Sequence, residues 1–310
     1  MRFSPKYKAA SYCLPSPDGR LVATLLPNGI HIQTVDRLQE FAGIVDLPED
    51  LLVSTVISFQ WSPSSQRVLV ATSDQIFVAA VLASTGDGNK PFQAVIRNPS
   101  LPVVAKPTFV GFGASDKHVC LCSAYGIKFA IFDLETGKAV EIMNPKLYNS
   151  ASVCSRGFSF RPDSHHLALL TRTAGKDWVS VHDPAVSTPI TSWAPDTIDA
   201  QGLIWSPDGR WLTVWESPAH GRKILFYTPD GHLFKTWTGV SSGGAFRKAN
   251  DDDDGGHDAS IVDPHVDTSV VDELLGSGVR LVQFSANARV LAIGDASRTV
   301  RLIDIFGKSR

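Results

Sequence analysis

Long apolar runs are missing from this 310-residue chain. None approaches the roughly 18 residues that would cross a bilayer as a helix, so no membrane partner is expected. The opening Met-Arg-Phe-Ser-Pro-Lys lacks the apolar core of a secretion signal. Cysteine is sparse, and Cys13, Cys120, Cys122 and Cys154 show no Cys-x-x-Cys spacing. Each sits in or beside an apolar run, which reads as a small buried thiol in a reducing cytoplasm or nucleus. Methionine is also scarce, at two residues, whereas 19 prolines, 24 glycines and many β-branched residues are present. That mixture favours many short strands joined by turns. With 43% hydrophobic and 19% charged residues, the chain has enough apolar material for a sizeable core.

What is present is a repeat. An apolar strand ending in an aromatic residue is followed by a turn such as Ser-Pro-Asp-Gly-Arg and a second apolar strand. Copies are LPSPDGRLVATL from Leu14, WSPSSQRVLVA from Trp61, FGASDKHVCLC from Phe112, FRPDSHHLALL from Phe160, WSPDGRWLTVW from Trp205 and FSANARVLAIG from Phe284. The anchors Ser16, Ser62, Gly113, Arg161, Ser206 and Ser285 are separated by 46, 51, 48, 45 and 79 residues. The first four steps match a propeller blade of roughly 40–45 residues with some loop variation. Proline sets φ for the second turn position, aspartate bonds local backbone, and glycine closes the turn.

A third apolar strand follows each turn: Ile30–Val35, Ile76–Leu82, Ile127–Phe132, Trp178–His182, Ile224–Tyr227 and Val300–Ile305. A poorer fourth strand, as at Leu233–Trp237, precedes the next anchor. The expectation is an all-β fold, a single β-propeller of WD40 type with six repeats visible and six or seven blades. Phe3–Ala9 is a candidate outer strand for the last blade. The step of 79 contains an insertion at 242–275, where nine acidic residues stand against Arg247 and Lys248. Without it the spacing returns to that of its neighbours, so this segment reads as an acidic, disordered loop.

Sharper chemistry finds little support. His165 and His166 are adjacent, and neighbouring strand residues point to opposite faces, which argues against a shared metal. Asp251–Asp254 with Gly255 and Gly256 resembles a calcium loop, but Ile261 or Val262 falls where a bidentate Glu is required. No Gly-x-Ser-x-Gly nucleophile elbow occurs, and Ser84–Lys90 lacks phosphate-loop spacing. The 29 lysines and arginines are scattered, so nucleic acid is not an expected partner. No catalytic residue, metal, cofactor or small-molecule substrate is expected. Trp61, Trp205, Trp211 and Trp215 read as core. Trp178, Trp193 and Trp237 fall near strand ends; together with Arg222 and Lys176 they are the candidate partner-binding residues, tryptophan and arginine being enriched in binding hot spots. Packing at a blade edge is the competing role.

Residues 176–237 carry a more specific likeness. The strings KDWVSVHDP from Lys176, DTIDAQGLIWSPDGRWLTVWES from Asp196 and KILFYTPDGHLFKTW from Lys223 resemble the WD-repeat-protein-eight family, as a fungal-like member. The opening FSPKYK and CLPSPDGRLVA are similar to that family's start, although no Trp-Asp dipeptide is present. The resemblance implies a spindle-pole or centrosomal scaffold of the cytoplasm and cytoskeleton that anchors microtubule minus ends. It implies two protein partners, a coiled-coil spindle-pole anchor and a minus-end-directed kinesin. A general WD-repeat adaptor in a translation or ubiquitin-ligase complex is the alternative.

Overall fold

A computed structural model describes residues 12–81, 91–97, 109–147, 157–186, 188–238, 279–295 and 299–306. Phe3–Ala9, Cys154, the 84–90 segment and the acidic insertion at 242–275 lie outside the described residues. The chain divides into two compact units, Met1–Trp193 and Ala194–Arg310.

The first unit holds four antiparallel meanders. Sheet 1 comprises β1 (Cys13–Pro15), β2 (Leu21–Leu26), β3 (Gly29–Thr34) and β4 (Arg37–Val45). Sheet 2 comprises β5 (Ser58–Trp61), β6 (Arg67–Ala71), β7 (Gln75–Ala80) and β8 (Gln93–Arg97). Sheet 3 comprises β9 (Phe109–Phe112), β10 (His118–Cys122), β11 (Lys128–Asp133) and β12 (Ala139–Met143). Sheet 4 comprises β13 (Phe158–Phe160), β14 (Leu167–Thr173), β15 (Lys176–His182) and β16 (Thr191–Trp193). The second unit holds sheet 5, with β17 (Ala200–Trp205), β18 (Leu212–Glu216), β19 (Lys223–Tyr227) and β20 (Leu233–Thr238). It also holds sheet 6, with β21 (Val279–Phe284), β22 (Val290–Asp295) and β23 (Val300–Asp304). Every sheet is hydrogen-bonded in chain order, with four strands in sheets 1–5 and three described in sheet 6. The first strands of sheets 2–6 end on the repeat's aromatic residue, and the third strands fall where the sequence expects them.

Within the first unit, successive sheets pack face to face, and strand periodicity divides the core. On β6, Val68 and Val70 join the cluster shared with sheet 1, while Leu69 and Ala71 join that shared with sheet 3. On β10, Val119 and Leu121 face sheet 2, and Cys120 and Cys122 face sheet 4. Alternate side chains leave a strand on opposite faces. A strand covered on both faces must therefore be apolar throughout, which explains runs such as RVLVA and HVCLC. Burial pushes the Cys120 thiol up, well beyond its ordinary range. Maleimide labelling of the native protein should therefore leave Cys120 and Cys122 unmodified while half-exposed Cys13 reacts. Peptide mapping after labelling with and without denaturant checks this; a native adduct on Cys120 would contradict it.

The turn motif is built as its residues suggest. In sheet 1, Gly19 N donates to Ser16 O at 2.9 Å, and Leu21 N donates to the Ser16 hydroxyl at 3.0 Å. The Ser16 hydroxyl and Arg20 N both donate to Asp18, holding its carboxyl below the usual range. Ser206 and Asp208 repeat the arrangement in sheet 5, and Ser285 with Asn287 in sheet 6. In sheet 2, Ser64 occupies the aspartate's position, and a carboxylate from the next sheet substitutes. Asp116 accepts from the Ser62 hydroxyl at 2.9 Å and from Ser64 N at 3.2 Å, and its carbonyl accepts from Arg67 at 2.8 Å. Asp18 N donates to the Ser65 hydroxyl at 3.1 Å, so these turns also stitch sheets 1, 2 and 3 together.

Candidate functional site

In each antiparallel meander, the first-to-second and third-to-fourth connections lie at one end. The second-to-third connections and the crossovers between sheets lie at the other. Between sheets 3 and 4, three such segments at this second end enclose an open pocket of about 630 Å³. Its lining is Tyr125, Gly126, Ile127, Asn144, Pro145, Lys146, Leu147 and Arg172.

The first wall is the tight turn between β10 and β11. Ser123 closes it: its backbone N–H donates to Lys128 O at 2.8 Å, and its hydroxyl accepts from Lys128 N at 3.0 Å. The chain reverses through left-handed conformations at Tyr125 (φ 64°) and Gly126 (φ 63°). A tyrosine held there costs roughly 1–2 kcal/mol of backbone energy. The turn nevertheless leaves Tyr125 88% exposed, and Ile127 and Met143 are exposed as well. Strained, exposed aromatic residues of this kind favour a binding reading. Tyr125→Gly should leave the fold equally stable or up to about 1 kcal/mol more stable, relief of strain being offset by the freer unfolded chain. Urea denaturation checks this, and clear destabilisation would show that the ring is structural.

The second wall is the crossover from β12 to β13. Asn144, also left-handed at φ 56°, donates its N–H to Ile127 O at 2.9 Å and accepts from Arg172 N at 3.0 Å. Pro145 bridges to Thr171, and Lys146 N donates to Leu170 O at 2.8 Å. The crossover thus continues the sheet along β14 where β13 has ended. Gly157 makes this approach possible, since a Cβ there would fall 2.1 Å from Lys146 O.

The third wall is the β14–β15 hairpin, which turns through Ala174 (φ 51°) and Gly175 (φ 78°). Two positive φ values match the two-residue turn that suits the strand twist. Period-2 alternation on β15 sends Asp177 inward and leaves Lys176 and Trp178 on the opposite, exposed face. The Asp177 side chain is 1% exposed and lies 2.6 Å from Lys146 Nζ, itself 10% exposed. Arg172 Nε is 3.7 Å from the same carboxylate, and its side chain remains 44% exposed at the pocket edge. Both cations thus face the one Asp177 carboxylate. Among the described residues its lining has no serine, cysteine or histidine. The described lining offers an aromatic face, aliphatic surface and cationic donors.

The five sequence-derived candidates disperse. Lys176 and Trp178 share one face of β15, while half-buried Trp193 lies on the neighbouring β16, opposite Val179. Trp237, on β20, is half-buried against the core of the second unit, and Arg222 precedes β19 there. None of the five lines the pocket. Trp61, Trp205 and Trp215 are buried; the Trp61 indole N–H donates to Leu14 O at 3.0 Å, tying sheet 2 to sheet 1. Trp211 departs from the core expectation. It precedes β18, is half-buried and stacks on exposed Phe234, with ring centroids 4.3 Å apart. His165 lies exposed in its turn, and no group of three or more metal-ligating side chains occurs among the described residues. No described helix is long and apolar enough to cross a membrane.

Comparison with known proteins agrees with this architecture. No family model matches the chain. WD repeat-containing protein WRAP73 of Mus musculus is 24% identical over 238 residues, covering 76% of this chain and 47% of that protein. An uncharacterized WD repeat-containing protein, C32H8.09, of Schizosaccharomyces pombe is 22% identical, covering 74% of this chain and 44% of that protein. The chain spans about half the length of these curated relatives. Among solved structures, the Dos1 propeller superposes with a TM-score of 0.53 at 13% identity, covering 93% of this chain and 66% of that one. The chain therefore has a β-propeller fold of the WD-repeat type, and over about three quarters of its length it is similar to WD repeat-containing proteins.

Proposed function

We propose that this chain is a non-catalytic WD-repeat scaffold that anchors microtubule minus ends at the spindle pole body or centrosome. In this reading it bridges a coiled-coil anchoring protein and a minus-end-directed kinesin. One structural observation carries the docking role: an open pocket on a hydrogen-bonded rim, with a strained and exposed Tyr125 at its mouth. Rigid aromatic residues on a pre-organised surface give binding area at low entropic cost. The resemblance of residues 176–237 to spindle-pole WD-repeat proteins supports the cellular setting, and similarity to WD repeat-containing proteins supports the scaffold class.

Affinity purification of the full chain from mitotic cells, paired with imaging of a fluorescent fusion, tests the reading. Recovery of a coiled-coil spindle-pole protein and a kinesin, with signal at the poles, is the expected result. Recovery of ribosomal or ubiquitin-ligase subunits, without polar signal, would replace it with the general adaptor role.

A further inference from the structure

We infer that the acidic crossover between sheets 1 and 2 docks a basic segment of a partner protein, in which an arginine stands close to a large apolar side chain. This surface is separate from the Tyr125 pocket, and the inference rests on the docking reading. The crossover joins β4 to β5 at the end where the second-to-third connections lie. Its residues divide by character. Leu47, Leu51, Val53 and Val56 pack into the core shared by sheets 1 and 2, while Asp46, Glu49 and Asp50 are exposed. The backbone is held by its own turns: Leu51 N donates to Pro48 O and Thr55 N to Leu52 O, both at 3.0 Å. The Tyr12 hydroxyl donates to Val56 O at 2.9 Å. The carboxylates are therefore set in place before any partner arrives, and little ordering cost remains on the protein side.

Charge identifies the kind of partner. Asp74, exposed in the β6–β7 turn, brings the carboxylates at this end of the two sheets to four. Among the described residues there, Arg97 is the one lysine or arginine, and it is engaged with Asp50 at 2.6 Å. Asp46 and Glu49 have no cation against them among the described residues. Such a surface attracts a cationic segment and repels nucleic acid and acidic peptides. Gln75 sharpens the choice. It is 2% exposed, and its side-chain Oε1 is buried without a hydrogen-bond donor. The Arg97 guanidinium and, more weakly, the Gln75 side chain hold the Asp50 carboxyl below its usual range, so Gln75 lies against the acidic surface. Folded proteins rarely leave a buried acceptor unpaired. The Arg97 side chain is 69% exposed and can turn into water. An incoming guanidinium, with five N–H donors, can replace it on Asp50 and reach the Gln75 oxygen with a further N–H. A lysine ammonium lacks that planar fork. Leu52, two residues beyond Asp50 and 62% exposed, supplies the apolar contact.

The test uses the full chain and fluorescein-labelled synthetic 12-residue peptides, read by anisotropy. One series carries two arginines flanking a leucine; matched series carry lysine, glutamine or glutamate at those two positions. Saturable binding of the arginine series is expected, weaker binding of the lysine series, and none of the other two. Protein carrying Asp46→Asn and Glu49→Gln together should lose about tenfold in affinity at low salt, with unchanged thermal stability. Binding should weaken with rising salt. In Gln75→Met protein the preference for arginine over lysine should disappear, because the oxygen that the extra N–H reaches has gone. Absence of saturable binding, equal binding of the arginine and glutamine series, or unchanged binding to the Asp46→Asn, Glu49→Gln protein would overturn the assignment. Retention of the arginine preference in Gln75→Met would overturn the role given to Gln75. Full competition by calcium chloride at matched ionic strength would mark a divalent-cation site and overturn the docking of a basic segment. If the Asp46→Asn, Glu49→Gln protein still recovers the spindle-pole partners, the crossover assignment falls while the scaffold reading stands.

Discussion

Asp177→Ala is expected to cost about 3–5 kcal/mol of stability, read as a lowered urea midpoint at unchanged slope. The Lys146 ammonium, 2.6 Å away, is only 10% exposed, so deleting the carboxylate takes an anionic partner from a cation in a low-dielectric site. Arg172 can swing into water, because its side chain is already 44% exposed; Lys146 is held by its backbone bond to Leu170 and by Gly157 packed against its carbonyl. The diagnostic variant is Lys146→Met in the Asp177→Ala background. Removing the ammonium as well should recover most of the loss, although one more native side chain has gone. A loss under about 1 kcal/mol for Asp177→Ala would show that Lys146 reaches solvent or another partner.

The balance between legible and hidden features follows from range. The turn motif closes locally: Ser16 and Asp18 bond Gly19, Arg20 and Leu21 within five residues, so their spacing alone places a hairpin end. The third strands are equally readable, because a strand buried on both faces leaves an unbroken apolar run. The pocket is different in kind. Its walls come from Tyr125, Asn144 and Arg172, residues separated along the chain and brought together by crossover geometry. Lys146 and Asp177, 31 residues apart, carry no sign of pairing in their local sequences. Trp178 draws attention in KDWVSVHDP because hot spots favour tryptophan, yet strand alternation gives the inward position to Asp177. The signal that was available is this alternation: once β15 is placed, an acidic residue between two exposed neighbours must be buried and must find a cation. Asp116 makes the same point for turns. Its sheet lacks the aspartate-turn sequence, and only the fold reveals that it completes the turn of the sheet before it.

A second buried carboxylate secures a crossover in the other unit, and its removal should be nearly as damaging. Glu216, 2% exposed at the end of β18, accepts from Ile198 N at 2.9 Å through one oxygen and from Asp199 N at 2.7 Å through the other. Ser217 N, which donates to Asp199 O at 2.8 Å, closes the same loop. The crossover is thus clamped by a bidentate acceptor, and Lys223 holds its earlier part through Asp196 at 2.6 Å. Glu216→Gln keeps the shape but replaces one oxygen with an N–H₂ group, so a donor is set against a backbone donor. A loss of about 2–4 kcal/mol is expected from the broken charge-assisted bonds and the unsatisfied N–H. Hydrogen exchange separates this from general loosening: Ile198 and Asp199 amides should exchange much faster in Glu216→Gln, while the Leu225 amide on β19 should follow only the global stability change. Equal acceleration at all three sites beyond that change would mean that Glu216 holds the whole sheet together and is not specific to the crossover.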